Sequence, residues 1–147
     1  MAVTPFTPIE EELIVSSIRY AEHKTSGELR VHVEASCVSE PYERAVKVFE
    51  ELKMHETAQK NGVLIYLAFQ DKKFAIIGDT GIHQIVGSNY WDKLNVEMKN
   101  IFAEGYIASG LVHAICSIGH QLSSHFPYLK NDENELSDEI SFAWKEY

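Results

Sequence analysis

The sequence predicts an α/β fold built on a small mixed sheet, and three observations carry that expectation. Residues 63–69, Val-Leu-Ile-Tyr-Leu-Ala-Phe, form an unbroken apolar run of strand length, the pattern of a central strand buried on both faces. Leu29, Val31, Val33, Ala35 and Cys37 alternate with Arg30, His32, Glu34 and Ser36, a period-two strand with one wetter face. Around these strands lie segments whose apolar residues recur at helical spacing.

The elements follow in order. Thr7-Pro8-Ile9-Glu10 reads as a helix start, with Thr7 as cap, Pro8 at the first helical position and Glu10 completing a capping box. Ile9, Leu13, Ile14, Ile18 and Ala21 continue that helix to near His23. After the first strand, Ser39 is the expected cap of a second helix with Tyr42, Ala45, Val46, Phe49 and Leu52 inward. The 63–69 strand turns through Gln70-Asp71-Lys72-Lys73, a hairpin without glycine, into Phe74-Ala75-Ile76-Ile77. Gly78-Asp79-Thr80-Gly81 breaks the pattern before a short helical turn over residues 82–86. A helix from Ser88 carries Trp91, Leu94, Met98, Ile101 and Phe102 inward and stops at Gly105. The last helix carries Leu111, Ala114, Ile115, Ile118 and Leu122 and ends by Pro127. Residues 8–127 thus form one domain, and residues 128–147 are expected to be an acidic, mobile tail, with docking of its apolar stretch Ile140-Ser141-Phe142-Ala143-Trp144 onto this or another subunit as the alternative.

Composition excludes several function classes. The net charge of −9 repels phosphate backbones and anionic membranes and favours divalent cations. The N-terminus lacks a basic and an apolar signal region, so a cytoplasmic location is expected, without membrane insertion. Cys37 and Cys116 sit far apart in apolar runs and are expected to be buried, reduced thiols. No Gly-x-Ser-x-Gly, Walker or Gly-x-Gly-x-x-Gly motif is present.

The topology points to a site. Strands one and two, joined by a helix, should be parallel, and strands two and three antiparallel. The segments Thr25-Ser26-Gly27-Glu28, Lys60-Asn61-Gly62 and Gly78-Asp79-Thr80-Gly81 then converge at one end of the sheet. Their oxygen-rich side chains suit a hard divalent cation, Ca²⁺ foremost and Mg²⁺ or Mn²⁺ as alternatives, better than zinc. Glu28, Asn61 and Asp79 are the expected ligands, with Ser26, Gly27, Thr80, His83 and Asp92 lining the cleft. The bland reading makes Asp79 and Asn61 turn formers and Asp92 a residue favoured in a first helical turn.

The runs Thr25-Ser26-Gly27-Glu28-Leu29-Arg30-Val31, Asn61-Gly62-Val63-Leu64-Ile65-Tyr66 and Phe74 to Ile82 resemble three segments of the TPM-domain family. That family is named in part for a thylakoid-lumen acid phosphatase implicated in photosystem II repair. The resemblance covers about residues 8–127 and implies a three-layer α/β/α sandwich with a cleft at its loop end and calcium in some members. Glu28, Asn61 and Asp79 match its cleft-lining places. Asn61 stands where many members have Asp, and Gly78-Asp79-Thr80-Gly81 stands where many have Gly-Tyr-Gly. Many members are also exported or membrane-anchored. Three functions follow: a divalent-cation-binding module, a non-catalytic module binding a protein partner such as a membrane-bound paralogue, and a metal-dependent phosphatase. No catalytic residue is identified.

Overall fold

The computed structural model describes residues 4–128 and 140–142, the last two of them in backbone only. Helix α1 (Pro8–Glu22) opens with the expected capping box. The Glu10 N–H donates to the Thr7 hydroxyl at 3.1 Å, and the Thr7 N–H donates to the Glu10 carboxylate at 2.9 Å. Strand β1 (Glu28–Glu34), helix α2 (Pro41–Glu51), a 3-10 turn (Met54–Glu56), β2 (Gly62–Ala68) and β3 (Lys73–Gly78) follow. Helices α3 (Thr80–Val86), α4 (Ser88–Ala103) and α5 (Ile107–His125) complete the body, and Ser141–Phe142 forms β4. The cap of α2 is Glu40 rather than Ser39. Its carboxylate reaches the Glu43 N–H at 3.1 Å, and Pro41 has no N–H to satisfy.

The sheet order is β3-β2-β1-β4, with β1 parallel to β2 and β3 antiparallel to β2. Odd-numbered positions of β1 and β2 face a core shared with α1, α4 and α5. Even-numbered β2 positions face a second core under α2 and the 3-10 turn. The chain is therefore an α/β/α sandwich. The hairpin without glycine closes through Lys72, whose φ of 55° supplies the left-handed residue.

β1 differs from expectation. Its polar face is not wet, and the strand is not at an edge: β2 and β4 flank it, and all seven residues are buried. The Glu34 charge is satisfied inside. Glu34 accepts from Arg44 Nε at 3.1 Å, from Arg44 Nη2, from the Tyr66 hydroxyl at 2.5 Å and from His32 Nε2 at 3.2 Å. Burial by itself raises the Glu34 carboxyl, but the bonds from His32, Arg44 and Tyr66 outweigh it and hold Glu34 well below the usual carboxylate range. Burial and the neighbouring Glu34 carboxylate push the Tyr66 phenol far above its ordinary value.

Two further expectations change. Cys37 is buried, but Cys116 is exposed, because it falls on the outward face of α5. Of the expected mobile tail, residues 129–139 and 143–147 lie outside the described residues. Residues 141–142 pair with His32 and Val33 instead of running free. Ile140 is 3% exposed, its side chain part of the α1/α5 core, and burial of an isoleucine stabilises this docking. Among the described residues no helix is long and apolar enough to cross a membrane.

Glu34 has its folded-state value lowered, so its contribution to stability is complete above the unfolded value of about 4.3 and is lost as pH falls below it. Glu34→Gln should destabilise the protein at neutral pH by about 3 kcal/mol, since Arg44 loses its buried partner. The variant should also show a shallower stability loss below pH ~4.3 than the parent. Urea titrations across that range check both, and parallel curves for parent and variant would contradict the assignment.

Candidate functional site

The strand register brings the three predicted segments together. Glu28 lies opposite Gly62, and Val63 opposite Gly78. The Glu28 N–H donates to the Asn61 carbonyl at 3.3 Å, the Asp79 N–H to the Gly62 carbonyl at 2.9 Å, and the Ile82 N–H to the Lys60 carbonyl at 3.3 Å. Side chains knit the same junction. Gln59 Nε2 donates to Ser26 Oγ at 3.1 Å, and Asn61 Nδ2 approaches that oxygen at 3.5 Å. Lys60 turns the chain at φ 53°, a conformation that costs energy in a residue with a side chain. Gly81 permits the close approach of α3: a Cβ there would sit 2.1 Å from the Gln59 carbonyl oxygen and 2.5 Å from that of Lys60.

The eight predicted site residues divide into two groups. Ser26, Gly27, Glu28, Asn61 and Asp79 form the junction. Glu28 and Asn61 are buried there, at 1% and 2% exposure, and Gly27 is buried beside them. Asp79 is the cap of α3: Oδ1 accepts from the Thr80 N–H at 2.7 Å. Its Oδ2 is buried without a hydrogen-bond partner among the described residues. Thr80, His83 and Asp92 instead stand at the side of the junction, lining an open cleft of about 550 Å³ with Gly78. Among the described residues, no three His, Cys, Asp or Glu side chains are grouped so as to hold a metal.

Apart from the expected Asp92, the cleft has wall residues that the sequence pattern did not reveal. Glu40 and Tyr42, from the start of α2, form one side, and Ser88, Trp91, Asp92 and Asn95, from α4, form the other. Trp91 packs against the core, as its place on the apolar stripe predicts. It is half-buried, packs over Gly78, and donates its indole N–H to His83 Nδ1 at 3.0 Å. The available signal was the Gly78 that leaves room for an indole: a Cβ there would lie 2.4 Å from the Trp91 ring. Nothing in the spacing of Glu40 and Tyr42 tied them to β3.

Because Gly81 meets backbone carbonyls rather than a flexible side chain, Gly81→Ala must part the junction. It should cost about 2 kcal/mol in urea denaturation and move the Asn61 and Ile82 amide signals. Unchanged stability and unchanged amide signals would mean that the loops separate freely.

Comparison with known proteins bears on the family and the fold. The family model described as TPM domain matches residues 4–121. The NMR structure of BA42 from the psychrophilic bacterium Bizionia argentinensis is 43% identical with a TM-score of 0.86, over 94% of this chain and 95% of that one. The N-terminal domain of cg2496 from Corynebacterium glutamicum shares the fold at 14% identity and a TM-score of 0.58, over 88% of this chain and 84% of that one. No match was found among curated proteins. A family match across most of the chain, with a relative this similar over nearly its full length, places the protein: it belongs to the TPM-domain family.

Proposed function

We propose that this protein is a divalent-cation-binding TPM domain, selective for calcium-like ions, with its site at the loop junction. The observation that carries the proposal is Asp79 Oδ2, a buried carboxylate oxygen with no hydrogen-bond partner among the described residues. Leaving such an atom unsatisfied is costly, and a bound cation would satisfy it. Oxygens are at hand in the same loops: the carbonyls of Gln59 and Lys60 beside Gly81, and the Ser26 hydroxyl at the junction. This set fits a hard cation and offers no soft ligand.

Asp79 would be the charged ligand, and carbonyls from residues 59–61 the neutral ones. Glu28, 1% exposed, is the second carboxylate of the junction. Ca²⁺ tolerates irregular, carbonyl-rich coordination, whereas Mg²⁺ demands near-octahedral geometry and retains several waters. With only one carboxylate reaching the ion directly, affinity falls in the weak class, with a Kd of roughly 0.1–1 mM.

A Ca²⁺ titration of metal-free protein, followed by backbone amide NMR, tests this directly. Shifts should concentrate at residues 59–62 and 79–82, and Asp79→Asn should weaken binding at least tenfold. Shifts confined to the acidic stretch 128–147, or equal binding by the variant, would defeat the proposal.

A further inference from the structure

We propose that the outer edge of β3 is a docking site for an extended, positively charged peptide segment of a partner protein, which joins the sheet as an additional strand. This inference does not depend on the cation site. It rests on the strand order and on the walls that flank the free edge.

Among the described residues β3 is the terminal strand of the sheet and pairs with β2 alone. The direction of its backbone groups follows from one bond. The Asp79 N–H donates to the carbonyl of Gly62, the residue directly opposite in the register, so this is a hydrogen-bonded pair. Pairs alternate in an antiparallel ladder. Lys73, Ala75 and Ile77 therefore turn their N–H and C=O groups toward β2, and Phe74, Ile76 and Gly78 turn theirs outward. Among the described residues, no side chain or backbone group bonds those outward groups. Exposure agrees: Ala75, Ile76 and Ile77 retain 7–8%, against 0–2% for Leu64 to Ala68 of the inner strand.

The 550 Å³ cleft runs along this edge, since Phe74, Ala75, Ile76 and Gly78 all line it. Tyr42 and Glu40 overhang from one layer and Trp91 and Asp92 from the other. The result is a slot between the two helical layers, with outward-facing backbone donors and acceptors at its base, as strand addition requires. Natural edge strands are blunted by proline, bulges or inward charges, and β3 carries none of these between Phe74 and Gly78.

Charge selects the occupant. Glu40 and Asp92 are exposed on opposite walls, and among the described residues neither makes an ion pair. A strand alternates its side chains between the two faces, so a peptide with lysine or arginine at either phase meets a carboxylate. A second copy of this chain fits less well. Two-fold pairing of β3 would bring both copies of Glu40 and Asp92 to one seam, in a chain already at −9.

The probe is a blocked Lys-Val-Lys-Val-Lys peptide, titrated in EDTA so that cation binding plays no part. The Phe74, Ile76 and Gly78 amides should shift and exchange hydrogen more slowly, while those of Ala75 and Ile77 are protected already in the free protein. The same peptide N-methylated throughout keeps its charge but cannot donate, and should bind roughly tenfold more weakly or worse. A Glu-Val-Glu-Val-Glu peptide, and the Glu40→Gln/Asp92→Asn double variant with the original peptide, should show a similar loss. Absence of shifts at residues 74–78, equal binding of the N-methylated peptide, or concentration-dependent broadening of β3 without peptide would each overturn the proposal. The last would give the edge to a second copy of the chain.

Discussion

Parallel pairing of β1 with β2 is the constraint on which the rest of the structure depends. Seven residue pairs, from Glu28 with Gly62 to Glu34 with Ala68, fix both strands at both ends. At one end this aligns residues 25–28 with residues 60–62, and the β2–β3 hairpin returns Gly78 and Asp79 to the same place. At the other end it sets Glu34 within reach of Tyr66 and of Arg44 on α2. A parallel pair needs a covered crossover, and α2 supplies it by packing on the even-numbered face. The charged cluster at Glu34 thus lies where the crossover helix meets the sheet. It ties helix to strand in a way that apolar packing alone leaves free to slide.

Much of this fold was legible in the sequence, because local patterns and global arrangement agree. The apolar run in β2, the capping box at Thr7 and Glu10, and the stop at Gly105 each record a local preference that the fold keeps. Convergence of the three loops followed from chain order alone. The polar face of β1 was not legible. Arg30, His32 and Glu34 alternate as solvent-facing residues do, and the burial of Glu34 depends on Arg44 and Tyr66, which lie 10 and 32 positions from it. The apolar stretch from Ile140 to Trp144 signalled a docking segment, but not that Ser141–Phe142 pairs with β1, because a two-residue strand has no period to detect.

The site divides along the same line. Its junction residues could be named because turn glycines and small polar residues announce where chains meet. The opposite walls of the cleft could not, because Glu40 and Tyr42 reach β3 only through the packing of α2 on the sheet. The structure sets two different surfaces side by side. One is a compact, oxygen-lined junction around Asp79, and the other a longer slot along the free edge of β3. A cation and a peptide strand would therefore occupy adjoining places, meeting at Gly78 and Asp79.

Locating the ion tests the central claim most directly. Mn²⁺ binds oxygen ligands and broadens nearby amide signals by its paramagnetism, so substoichiometric addition maps the site by distance. The account predicts that residues 59–62 and 79–82 lose their signals first, with added Ca²⁺ restoring them. Earliest loss around Glu40 and Asp92, or along residues 128–147, would contradict a site at Asp79.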